Sequence, residues 1–271
     1  MNKLLIILCV TLSFLTQAAW GQSSSARTAF TKGIAAYDKG KYIEALPYLR
    51  QAALAGIVAS YHPLIDLYAD GDYDGNGIGN YQEALYWTLQ AMNKYFNEGA
   101  DNRDLAAICL MYYDPLCFLT GDYQETIDHT ASLYENGMLR NPYLMNQIAA
   151  SYLKLGNIDK SIEWLNKATT LAKEKDQYHC MQTTNAILSK IYLDANNYVK
   201  ALEYSREAAS EVALAAYVYG RSLIETSNNV GSGKQWVKSA SEYDYSGIFE
   251  INCFEEEIEN YWRSIMNATY R

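Results

Sequence analysis

From about residue 26 onward, stretches with an apolar residue every three or four positions alternate with short breaks built of Gly, Asn, Asp and Lys. This spacing predicts amphipathic helices, because strands would place apolar residues at every second position. In one stretch the predicted buried stripe is Ile158, Ile162, Leu165, Ala168 and Leu171; in another it is Tyr198, Ala201, Leu202, Ala208 and Ala209. The breaks carry Gly or Asn, which enter the left-handed conformation that ends a helix. Beyond the first residues, no apolar run is long enough to span a bilayer.

The stretches repeat. A turn residue is followed by an aromatic residue or Ile, then a charged residue, a small one and an apolar one. The pattern appears as Gly40-Lys41-Tyr42-Ile43-Glu44-Ala45-Leu46 and as Asn80-Tyr81-Gln82-Glu83-Ala84-Leu85. It returns as Gly121-Asp122-Tyr123-Gln124-Glu125-Thr126-Ile127, Gly156-Asn157-Ile158-Asp159-Lys160-Ser161-Ile162 and Asn196-Asn197-Tyr198-Val199-Lys200-Ala201-Leu202. The small positions 45, 84, 126, 161 and 201 are 39, 42, 35 and 40 residues apart, a period suited to helix pairs. A small residue lets two helices approach closely. The stripe left over on each pair can be buried only by the next pair, so stacking supplies the stability.

Met145, Ile148, Ala149, Tyr152, Gly156, Ser161, Trp164 and Ala168 fall at signature spacing, as do Leu188, Tyr192, Ala201, Tyr204 and Ala208, and Gly33, Ala45, Tyr48 and Ala52. In these residues the chain resembles tetratricopeptide repeat proteins. Tyr68-Ala69-Asp70-Gly71, the glycine-rich loop after it and Ala84-Leu85-Tyr86-Trp87 are similar to Sel-one-like repeats. The resemblance implies an all-α fold, a right-handed α-solenoid of antiparallel helix pairs. About six units would span 26–247, the last a degenerate one with Trp236, Val237 and Ala240 in its second helix. Residues 248–271, with Phe249, Phe254, Ile258, Tyr261, Trp262 and Ile265, predict an amphipathic helix that caps the solenoid. Pro47 and Pro115 depart from the pattern, and proline at 115 is expected to kink or end its helix.

Lys3, the apolar run Leu4 to Leu15 and the small residues around Ala18, Ala19 and Gly21 predict a secretory signal peptide over 1–21. The expected location is therefore secreted or periplasmic. Net charge is −9, which disfavours nucleic acid as a partner. The acidic run Glu255 to Glu257 reads as a solvated helix face. Beyond Cys9 the cysteines are Cys109, Cys117, Cys180 and Cys253. They suit buried free thiols or at most two bridges, and roughly 12 Å of helical rise keeps Cys109 from Cys117.

The sharpest chemical motif is the loop from Asp72 to Glu83. Asp72, Asp74 and Asn76 stand at its first, third and fifth positions, glycine at its sixth and Glu83 at its twelfth. That is the spacing of oxygen ligands in an EF-hand calcium loop. Gly79 departs from it, standing where that loop carries a branched apolar residue, and a plain glycine-rich connection is the competing reading. His62, His129 and His179 lack metal-ligand spacing. Gly231-Ser232-Gly233-Lys234 is a partial phosphate-loop pattern with no preceding strand, read as the turn within unit six.

No nucleophile or acid–base constellation emerges, so no catalytic residue is assigned and no cofactor beyond calcium is implied. The eight tyrosines Tyr42, Tyr48, Tyr81, Tyr123, Tyr152, Tyr192, Tyr198 and Tyr204 occupy repeat positions that pack between helices. The resemblance implies a concave groove lined by the first helix of each unit. Its candidates are Tyr37, Asp38, Tyr143, Asn146, Lys154, Thr183, Lys190 and Asp194. The expected function is a non-enzymatic scaffold holding a protein or peptide there. Glycan binding through exposed Tyr and Trp, or calcium modulation through the 72–83 loop, are the alternatives.

Overall fold

The computed structural model describes residues 24–75, 77, 79–96, 103–138, 140–243, 249 and 251–269. The predicted signal segment 1–21 lies outside them. Among the described residues there are α-helices and short 3-10 turns but no strand.

Six helix pairs follow one another. They are α1 (Ser24–Tyr37) with α2 (Tyr42–Leu54), α3 (Tyr61–Ala69) with α4 (Tyr81–Phe96), and α5 (Arg103–Leu119) with α6 (Tyr123–Glu135). Next come α7 (Pro142–Lys154) with α8 (Ile158–Glu174), α9 (Tyr178–Asp194) with α10 (Tyr198–Ser205), and α11 (Ala213–Glu225) with α12 (Val230–Ser241). A last helix, α13 (Glu255–Thr269), follows a short 3-10 turn, Asn252–Phe254. Neighbours in sequence pack on one another, and α7, α9 and α11 also touch directly as an inner layer. This is an α-solenoid of tetratricopeptide type.

The repeat positions explain the hairpins. Ala45, Ala84, Ser161 and Ala201 are fully buried and Thr126 is 1% exposed, so the small residue faces the partner helix in all five units. The helix breaks at Gly40, Gly121, Gly156 and Asn196 have φ of 68°, 83°, 80° and 56°, the left-handed region that glycine enters freely and Asn tolerates. Asn157, Asn197 and Asn229 then cap the next helix, their side chains accepting the Lys160, Lys200 and Ser232 amides. Each such cap is worth about 1 kcal/mol.

Two expectations are corrected and two are refined. In α8 the buried residues are Ser161, Trp164, Leu165, Ala168, Leu171 and Ala172, whereas Ile158 and Ile162 are exposed. The stripe turns to put the small residue inward, and that carries the two isoleucines out. Helix α5 runs through Pro115. The residues just beyond it, Leu116, Cys117 and Phe118, are at most 2% exposed. Burying a large apolar side chain is worth about 1.5–3 kcal/mol, which together outweighs the roughly 3 kcal/mol cost of an interior proline. Helix α2 likewise continues past Pro47.

Residues 231–234 form the first turns of α12 rather than a connection, because Asn229 caps the helix just before them. Lastly, the C-terminal segment does more than close the end of the stack. It packs on α12 and also reaches back to α7 and α9 along the inner layer.

Candidate functional site

Two clusters lie on the first helices. The first joins α1, α3 and α5. Tyr37 donates its hydroxyl to Asp66 Oδ2 at 3.1 Å, and Tyr112 donates to Asp66 Oδ1. His62 lies 3.6 Å from Asp66 through Nδ1 and 3.2 Å from the Tyr112 hydroxyl through Nε2. Burial and the Asp66 carboxylate push both phenols above the ordinary tyrosine range, so they stay protonated donors. Three units are thus tied by one carboxylate, with the His62 side chain exposed beside it.

The second cluster is built where the C-terminal segment crosses the inner layer. The Lys190 side chain is only 5% exposed and lies 2.6 Å from Asp194 Oδ1 and 3.2 Å from Glu257 Oε2. Glu257 Oε1 accepts the Tyr217 hydroxyl at 2.8 Å and faces Arg221 Nη1 at 3.5 Å. Lys154 donates to the Cys253 carbonyl at 3.0 Å. The Phe254 ring has Lys154 and Lys190 each 5.3 Å from its centre, a cation–π arrangement. Tyr143 stands 5.7 Å from Phe249 and 6.3 Å from His179 between ring centres. Tyr261 meets Tyr217 edge-on at 5.7 Å and donates to Glu225 at 3.3 Å. Between segment and inner layer lies an open cleft of about 460 Å³, lined by Lys154, Tyr217, Arg221, Cys253, Glu257 and Tyr261 among others.

The structure gathers Tyr143, Lys154, Lys190 and Asp194 around the C-terminal segment and places Tyr37 in the first cluster, with exposed Asp38 at the end of α1. Asn146 and Thr183 do not line an open groove. Asn146 is fully buried. It donates to the Cys180 carbonyl at 3.0 Å and accepts the Thr184 hydroxyl at 2.9 Å. Thr183 is 6% exposed and donates to His179 of its own helix.

Sequence reasoning missed Asp66, Tyr112, Tyr217, Arg221 and Glu257. The amphipathic pattern of 249–265 was the available signal for Glu257, since it sits beside the apolar Phe254, Ile258 and Tyr261. Of the acidic run, Glu255 and Glu256 are exposed as a solvated face requires, but Glu257 is half-buried.

In the 72–83 loop, Asp72 and Glu83 are half-buried and Asp74 is exposed; Asn76 lies outside the described residues. Among the described residues no three His, Cys, Asp or Glu side chains stand together as a metal-holding group. Gly79 has its own reason: a Cβ there would lie 2.5 Å from the Ala69 carbonyl and 2.6 Å from the Tyr81 ring. Asn80, next to it, accepts the Glu83 amide at 3.1 Å.

Cys109, Cys117, Cys180 and Cys253 are all free thiols. Burial pushes Cys109 up to about 11 and the other three up to about 12, which favours the thiol over the nucleophilic thiolate. His129 Nδ1 lies 2.5 Å from Asp114 Oδ1. Asp114 is 2% exposed, so this pair joins α5 to α6.

A family model described as Tetratricopeptide repeat matches residues 142–175, the pair α7 and α8. No curated protein matches the chain. The repeats are thus of tetratricopeptide type, and such repeats typically bind proteins or peptides. No helix among the described residues is long and apolar enough to cross a membrane.

Proposed function

We propose that this chain is a non-enzymatic interaction scaffold, exported by its N-terminal signal-like segment, that takes a protein or peptide partner on the concave face formed by the first helices. One observation supports the reading: a helical segment already lies on the first helices of three successive pairs. Phe254, Glu257 and Tyr261 are seated on side chains from α7, α9 and α11. A face that accepts an amphipathic helix through aromatic anchors and a bridged carboxylate has the chemistry of a helix-in-groove receptor. The conventional active-site inventory is filled by structural roles instead. Burial keeps the thiols protonated, and the pairs His129–Asp114 and Lys190–Glu257 join helix to helix.

A photo-crosslinking residue placed at Asp38, just past α1, or His62, on α3, and at Ile158 or Val199, on the exposed side of second helices, tests this in an extract of the source cell. A discrete protein adduct from the first pair and none from the second is the expected result. Equal adducts from both pairs, or none from the first, would reject the concave face.

A further inference from the structure

The C-terminal segment joins the main apolar core through Ile251, Phe254 and Ile258, yet its polar contacts have the features of a bound ligand. Residues 249–269 hold five glutamates and one arginine. Ile251, Phe254 and Ile258 are at most 4% exposed, while Glu255, Glu256 and Asn260 are exposed, the last two at the cleft. The surface beneath supplies Lys154, Lys190 and Arg221, one from each of three successive first helices. The side chains of Arg221 and Glu257 are 31% and 38% exposed, so water competes for their ion pair and weakens it. Packing is incomplete as well. The cleft remains open under the segment, and Arg221 Nε is buried with no hydrogen-bond partner.

On the reading of the concave face as the binding face, we propose that residues 249–269 are the resident ligand of its C-terminal half. The partner taken there is an acidic amphipathic helix with the disposition of Phe254, Glu257, Ile258 and Tyr261, and it binds by displacing the segment. Charge complementarity selects this class. The seat of Glu257 lies between Lys190 and Arg221 with the Tyr217 hydroxyl donating into it. A partner helix bearing Lys or Leu there would take the acceptor from the buried Tyr217 hydroxyl and leave Lys190 with Asp194 alone of its two carboxylates. Because the resident segment is tethered, its effective concentration is high, and any partner binds more weakly by the factor with which the segment docks.

The probe is a synthetic peptide of residues 249–271, titrated into the full-length chain and followed by fluorescence anisotropy. Glu257→Lys puts a cation against Lys190 and Arg221 and loosens the tethered copy. The Glu257→Lys protein is expected to bind the peptide at least about tenfold more tightly than the wild type, and a peptide carrying the same substitution to bind neither. The native thiols give a second readout on the wild type, independent of any variant that fails to fold. Cys253 sits in the segment, whereas Cys109, Cys117 and Cys180 are buried in the solenoid. Saturating peptide is expected to speed maleimide labelling of Cys253 several-fold and leave the other three unchanged.

Equal affinity of the two proteins overturns the proposal. So does Cys253 labelling that stays unchanged at the highest soluble peptide concentration. A dimer mass by light scattering with exchanged segments would make a second copy the occupant and also overturn it. Adducts from Asp38 or His62 together with a Cys253 that never opens would remove this inference alone and leave the scaffold standing.

Discussion

Gly220 and Gly233 face each other across the last helix pair so closely that a Cβ on either would lie 2.6 Å from the carbonyl oxygen of the other. The contact is backbone to backbone, so no side-chain rotation can relieve an added methyl group. Intrinsic helix propensity alone would have Gly233→Ala stabilise α12 by about 1 kcal/mol. The geometry predicts the opposite sign: a loss of about 1–3 kcal/mol from overpacking, read as a lower urea midpoint. A rise in the midpoint would show that the two helices can part without cost.

Asn146 is expected to matter for stability rather than for binding. It ties α7 to α9 through Cys180 and Thr184, and every group involved is buried. Asn146→Ala leaves the Thr184 hydroxyl without that acceptor and opens a small cavity, so about 2–4 kcal/mol should be lost. Paired with Thr184→Val, the two substitutions should be non-additive by about 1 kcal/mol in a double-mutant cycle. Additive losses would mean that the two side chains act separately.

Ser161 offers the contrary case. It occupies the small position of the fourth unit, fully buried, and its hydroxyl has no hydrogen-bond partner. Ser161→Ala keeps the close approach and removes a buried polar group, so thermal stability should be unchanged or higher by up to about 1 kcal/mol. Ser161→Leu, which cannot fit, should destabilise by more than about 1 kcal/mol. A clear loss in the alanine variant would reveal a partner for the hydroxyl.

The pair His129 and Asp114 gives a pH dependence. The hydrogen bond with Asp114 is the main cause that raises His129 above its ordinary value, against the opposing effect of burial. A raised folded pKa makes the contribution complete below the unfolded value, about 6.5. It is lost as pH climbs through the folded value. Asp114→Asn should therefore cost more stability at pH 6 than at pH 9. The difference should be about 1 kcal/mol or less, because the imidazole is 34% exposed. Urea melts at the two pH values measure it, and a difference of the opposite sign would exclude the charged pair.

The hairpins were legible because their causes are local. Gly156 and Asn196 end helices by their own backbone preferences, Asn157 and Asn197 cap the next ones, and the small residues at 45, 84, 126, 161 and 201 recur at a helix-pair period. What local pattern does not carry is the direction in which a stripe points once two helices meet. Ile158 and Ile162 were therefore placed inside and lie outside. The candidate groove residues divide for the same reason. Lys154, Lys190 and Asp194 do stand by the inner-face segment, while Asn146, chosen by the same spacing, turns into the packing between first helices.

The amino-acid order alone thus determined a stack of helix pairs, since periodicity, caps and small residues act within one hairpin. It also announced that 248–271 has an apolar side in need of cover. Which surface covers it was settled only in three dimensions, where Cys253 meets Lys154 across 99 positions of chain. An amphipathic stripe states that burial is favourable but carries no address. The address comes from the stacking that brings α7, α9 and α11 side by side, and with them the cations that receive Glu257.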